Sequence, residues 1–258
     1  MNYWQKRIID SQNRLTTKGI KDIERQLVKY YQKTMIKVIS DFESTLDRLL
    51  KAANEGREPT PADLYKLDSY WQLQAQCKAE LTKLGDKQAA LLSKRFTEQY
   101  ITIYNSVAIP SQTAFATLDT AAAQQMINQI WVADGKSWSN RIWGNTEKLM
   151  EELNESLIDC VVAGRKTTEL KNMLQERFNV SYSRADSLVR TEMAHIQTQA
   201  AKQRYTDYGI KEVEIWADKD ERRCDVCGKL HEKRYPIGAH VPIPAHPRCR
   251  CCIVPVVD

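Results

Sequence analysis

The residues best suited to chemistry lie at the end of the 258-residue chain, in ERRCDVCGKLHEKRYPIGAHVPIPAHPRCRCCIVPVVD. Five of the seven cysteines (Cys224, Cys227, Cys249, Cys251 and Cys252) fall in the last 35 residues, with three of the four histidines, His231, His240 and His246. Two residues separate Cys224 from Cys227, and Gly228 follows directly. Eighteen residues later, two residues again separate His246 from Cys249. Thiolates and imidazoles are the donors zinc prefers, and C-x2-C-x18-H-x2-C is close to the spacing of a four-ligand zinc ribbon. The expected ligands are Cys224, Cys227, His246 and Cys249, with Cys251 as the substitute for one of the last two. Gly228 is expected to supply a positive φ in a tight knuckle turn. Alternation along a strand would put Cys249 and Cys251 on one side and Cys252 on the other.

Four protein ligands leave no open position for a catalytic water, so the expected zinc is structural. A tail with five prolines buries little apolar surface, and pieces below about 40 residues need a staple. Zinc couples on the order of 10 kcal/mol to the folding of such a piece.

The elements that must position this tail read as helices. From Ile20 the apolar positions are Ile20, Ile23, Leu27, Tyr31, Met35, Val38, Phe42, Leu46 and Leu49, an average step of 3.6 residues. Such a helix is roughly 45 Å long, too long for a compact small domain. Gly56 and Pro59-Thr60-Pro61 end it, and Thr60 or Asp63 caps the next. Further helices are expected over 62–84, stopping near Gly85, then over 86–107 and 111–132. Trp131, Trp138 and Trp143 fill helix junctions around a turn at Asp134 and Gly135. Helices over 146–163, 167–178 and 183–208 follow, the last closed by Gly209. Alternation in Glu212 to Trp216 marks a half-buried strand, with partners near 233–237 and 250–256. The expected fold is mainly α, a long-helix bundle with a small C-terminal β-rich zinc-binding module. Its divisions are an N-terminal helical region over 1–130, a second helical part over 131–209 and a zinc-ribbon-like module over 210–258.

Composition narrows the class. Nine glycines are too few for a turn-dense all-β fold, and 28% charged residues suit a globular chain. The N-terminus lacks the apolar stretch of a signal peptide, and no run of about 18 apolar residues exists. An odd cysteine count without an export signal points to a reducing compartment. A net charge of +5, spread along the chain, permits an acidic partner without demanding one.

The segment LVRTEMAHIQTQAAKQRYTDYGI, followed by IWADKDERRCDVCGKLHEKRY and HPRCRC, resembles the phage head morphogenesis family, minor capsid proteins similar to phage Mu protein F. The shared pieces, in order, are Arg190-Thr191-Glu192 on a helix, Trp216 on a strand, the acidic stretch from Asp220 to Cys227, and His246 to Cys251. The likeness is strongest over about 130–255. The chain departs from the pattern in its extra Cys252 and in Lys229-Leu230-His231, where the family has a Leu-Asp-Gly-like turn. The resemblance implies a virion component inside the capsid near the portal, made in the bacterial host cytoplasm. It implies the portal protein as partner, with scaffold, major capsid protein and packaged DNA, and roles in head assembly and DNA packaging or ejection. No membrane and no small-molecule substrate are expected.

Two other classes compete. A zinc-supported His-Asn-His nuclease also begins with Cys-x-x-Cys-Gly, but it needs a general-base His beside an acidic residue or Asn. His240 lies in Gly-Ala-His-Val-Pro and His246 in Ala-His-Pro-Arg, without an acidic neighbour. A zinc-ribbon nucleic-acid-binding protein could contact phosphates through Arg222, Arg223, Arg248 and Arg250. The adjacent Asp218, Asp220, Glu221 and Asp225 favour an internally paired surface instead. Arg190 and Glu192, two apart on a helix, do not face each other, and each is expected to bond a neighbouring segment. No phosphate-binding Gly-rich loop and no nucleophile elbow occurs, so no catalytic residue is nominated and the chain is read as a non-enzyme.

Overall fold

The periodicity that begins at Ile20 belongs to a helix that starts much earlier. In the structure, a computed structural model describing residues 3–53, 59–107, 118–217 and 223–257, α1 runs Tyr3–Ala53. Its first turns bury Ile9, Gln12 and Thr16 at helical spacing. Two of these three are polar, which hides the pattern from an apolar count. The helices that follow are α2 (Pro61–Tyr65), α3 (Asp68–Ser106), α4 (Thr120–Ile127), α5 (Trp138–Val162) and α6 (Thr167–Asp207). Strand β1 (Glu212–Trp216), helix α7 (Asp225–Leu230) and strands β2 (Arg234–Pro236) and β3 (Cys252–Pro255) complete the chain. The mainly helical fold with a small β-containing C-terminal module is therefore as expected.

Several expected boundaries are corrected. Thr60 does cap α2, its backbone N–H donating to Asp63 Oδ2 over 3.0 Å. Gly85, however, ends nothing: it lies inside α3, where a Cβ would come within 2.6 Å of the Trp143 ring on α5. The glycine is there for close approach, so the helices expected over 62–84 and 86–107 are largely one. The helices expected over 167–178 and 183–208 are likewise a single α6 of 41 residues. Asn179, Val180 and Ser181 favour helix weakly, but Ser181 is buried, with its carbonyl accepting from Asn145 Nδ2 at 3.0 Å and its hydroxyl 3.2 Å from the Tyr31 hydroxyl. Tertiary bonding outweighs the local preference. Of the helix expected over 111–132, residues 118–132 are described and only α4 is helical, capped by Asp119, whose carboxylate accepts from Ala121 N, and ended at Asn128 rather than at 132; residues 111–117, with Gly56, Asp218, Asp220, Glu221 and Arg222, lie outside the described residues. The turn at Gly135 (φ 71°) and the stop at Gly209 (φ 72°) stand where expected.

The chain forms two compact units. One comprises Arg25–Ala90 and Ser139–Ala185, the other Met1–Glu24, Leu91–Trp138 and Asp186–Asp258. The first has an apolar core built from α1, α3, α5 and α6, including Phe42, Leu46, Leu81, Leu153, Leu157, Leu174 and Phe178.

The second unit holds the sheet, ordered β2-β1-β3 with both pairings antiparallel. In β1, Val213 and Ile215 are fully buried, while Glu212 is exposed and Glu214 pairs with Arg234 of β2 at 3.2 Å. Cys252 and Val254 of β3 pack on Ile9 of α1. Tyr205 of α6 donates to the Ile253 carbonyl at 3.2 Å, and Gln5 of α1 donates to that of Pro255 at 3.2 Å. Two long helices thereby hold the sheet that carries the cysteine-rich tail.

Candidate metal centre

Cys224 is the N-cap of α7, and its Sγ accepts from the Cys227 backbone N–H at 3.4 Å. Cys227 is thus set one helical turn along on the same side. This replaces the expected knuckle turn. Gly228 is a helical residue, its N–H bonded to the Cys224 carbonyl at 2.9 Å, and its φ is not positive. A short helix brings the two sulfurs together as well as a tight turn would. The positive φ values lie instead at Glu232 (63°) and Arg248 (61°), the second within the loop that carries His246 and Cys249.

That loop folds back onto α7. His246 Nε2 lies 3.4 Å from Cys224 Sγ and 3.1 Å from Cys227 Sγ, and Cys227 Sγ is 3.8 Å from Cys249 Sγ. A tetrahedral zinc with Zn–S bonds of ~2.3 Å requires sulfurs about 3.8 Å apart, so this spacing suits one ion between them. Two groups of donors result, Cys224 with Cys227 and His246, and Cys227 with Cys249 and Cys251. Within each group the donor atoms lie within 4.8 Å of one another, and Cys227 belongs to both. Among the described residues no single group contains all four of Cys224, Cys227, His246 and Cys249. Cys249 and Cys251 are therefore placed alike relative to Cys227, while Cys252 turns to the apolar side with Ile9. A cysteine-rich cluster here could hold a metal.

The protonation pattern of the cluster is split between thiols that are eased toward the thiolate and groups that hold their protons. Backbone donation from Cys227 lowers the Cys224 thiol below its usual range. A hydrogen bond from Cys251 lowers Cys249 to about 5, and the same bond raises Cys251. Burial pushes Cys227 up to about 12. A bond with the Pro247 carbonyl raises His246; that bond fixes Nδ1 and turns Nε2 to the thiols. The remaining tail histidines are not in the cluster. His231 Nδ1 accepts from Ala217 N at 3.3 Å and its ring meets Trp216 edge-on, and His240 is exposed.

A second layer ties the cluster to the helices. Arg248 donates its backbone N–H to Thr191 Oγ1 at 3.1 Å, and its guanidinium pairs with Asp186 at 2.9 Å. Asp186 also accepts from Arg190 Nε at 3.1 Å, and Arg190 reaches on to Glu24 of α1. Burial, aided by a hydrogen bond with Asp186, raises the Glu24 carboxyl against the pull of Arg190. Glu192 accepts from Trp131 Nε1 at 3.0 Å, and Trp131 stacks on His195 with centroids 4.2 Å apart. The Arg190-Thr191-Glu192 segment thus bonds three different neighbours, as its spacing implied. Asp186 and Glu24 were not singled out in the sequence; Asp186, one turn before Arg190, was the available signal.

The fold and this site define a long-helix protein that ends in a small three-stranded module built around a cysteine- and histidine-rich cluster. Residues 151–254 match the family described as phage Mu protein F like protein. The match spans α6, the sheet and the loop with His246, Cys249 and Cys251. No curated protein and no solved structure matches the chain.

Proposed function

We propose that the protein is a structural minor capsid protein of a tailed bacteriophage head, associated with the portal and acting in head assembly and in DNA packaging or ejection. The family match over residues 151–254 carries this reading and supports a phage head morphogenesis protein in general. The 131–209 region is the helical part of the head morphogenesis domain and 210–258 its zinc module, with 1–130 as the helical surface offered to other head components. Zinc is held by Cys224, Cys227, His246 and Cys249, with Cys251 as the substitute, and its role is structural. The donor chemistry and the 3.8 Å sulfur separation support zinc. A non-enzymatic role is supported by His246, whose two ring nitrogens face the Pro247 carbonyl and the thiols rather than an acidic partner. Among the described residues no helix is long and apolar enough to cross a membrane, in keeping with a protein housed inside the capsid.

Mass spectrometry of purified DNA-filled heads tests the assignment. The protein is expected in few copies per particle and absent from particles assembled without portal. Its absence from portal-containing heads would overturn the assignment.

A further inference from the structure

A cleft of about 640 Å³ opens beside the metal loop, with Cys249 and Cys251 in one wall. Its size falls in the usual range of small-ligand pockets, roughly 300–1,000 Å³. Four cationic side chains line it from three separate elements: Lys21 of α1, Arg190 of α6, and Arg248 and Arg250 of the metal loop. One carboxylate, Glu24, shares the lining. Asp186 is not in the lining, but it holds both Arg190 and Arg248. Around the cleft, four cationic side chains thus stand against two carboxylates.

The hydrogen-bonding inventory points the same way. Thr16 and Thr17 add hydroxyls to the lining, while the Gln197 amide is spent on Gln12 and Asn13. Even beside the formal negative charge of a three-thiolate zinc centre, cationic groups outnumber anionic ones. A single carboxylate ligand would use one guanidinium fork and leave the rest unmatched. A phosphate group, with three or more acceptor oxygens, can engage several arginines and a lysine together. The arginines are also held in place, since Asp186 accepts from Arg190 and Arg248 at 3.1 and 2.9 Å.

We propose that this cleft is a phosphate-binding site, taking the phosphates of a nucleotide or of a single nucleic-acid strand, with Lys21 and Arg250 supplying charge to the ligand. The site does not depend on the virion assignment, and the test needs no phage particle. Zinc-loaded full-length protein would be titrated calorimetrically at low salt with inorganic pyrophosphate, ADP, a short single-stranded DNA and poly-glutamate. Binding of a phosphate probe is expected, weakening as salt rises from about 50 to about 200 mM. Lys21→Ala and Arg250→Ala should each weaken it roughly tenfold, and Arg250→Lys should restore part of the loss. Both side chains are exposed, so zinc content and circular dichroism should not change. DNA bound more tightly than pyrophosphate identifies a strand backbone as the ligand, and equal binding identifies a free nucleotide. Failure of every phosphate probe to bind, wild-type binding by both alanine variants, or equal binding of poly-glutamate would overturn the proposal.

Discussion

His195 shows how a side chain's surroundings become a property of the whole fold. It lies on α6, stacked on Trp131, and burial lowers its imidazole from the ordinary 6.5 to about 4. The folded state therefore holds it neutral where the unfolded chain would charge it. Its contribution to stability is complete above pH 6.5 and is lost as pH falls from 6.5 toward 4, up to about 3 kcal/mol. Denaturant titrations across that range should show His195→Gln losing less stability on acidification than the parent. Parallel acid limbs would mean the imidazole is not held neutral. The thiols have a related logic: a metal bound there would have to displace the proton on Cys227, so its affinity should drop as the pH is lowered.

At the scale of elements, helix type and strand pairing were legible where one face repeats without interruption. The α1 stretch from Ile23 to Leu49 buries nearly every position its periodicity marked, and β1 occupies the alternating segment named for it. Legibility failed where a local signal had a tertiary use. Gly85 read as a stop because glycine often ends helices, yet its missing Cβ accommodates a tryptophan ring from α5. Gly85→Ala gains up to about 1 kcal/mol of helix propensity but must displace that rigid ring, costing about 1–3 kcal/mol. Thermal unfolding should show net destabilisation, and in a Trp143→Ala background the same change should become neutral or stabilising; destabilisation of equal size in both backgrounds would rule out the ring contact as its cause. The cysteine- and histidine-rich cluster was legible as a set of donors, though not as two groups sharing Cys227, because loop conformation decides which sulfurs meet. The Asp186 link was not legible: nothing in the spacing says that a residue of α6 will hold Arg248 more than 60 positions on. Asp186→Ala leaves Arg190 and Arg248 without it and should cost about 2 kcal/mol. It should also lower zinc affinity roughly tenfold through the loop next to Cys249. Unchanged affinity in a competition titration with a chelator would show that the loop is set without α6.

In the whole molecule, a mainly helical fold carries a small C-terminal module whose cysteine- and histidine-rich cluster could hold a metal. The module's sheet packs on α1 and α6, and the loop with His246 and Cys249 is bonded to α6 at Thr191 and Asp186. Loss of the ion should therefore disturb the sheet and the adjoining helical turns together, while the core around Phe42 and Leu153 keeps its own packing. The most direct measurement is the zinc content of the purified full-length chain, by elemental analysis after exhaustive dialysis, beside Cys227→Ser and Cys249→Ser variants. About one equivalent is expected in the parent, with loss of most of it in both variants. Less than about half an equivalent in the well-folded parent, or full retention by Cys227→Ser, whose sulfur belongs to both donor groups, would contradict that expectation.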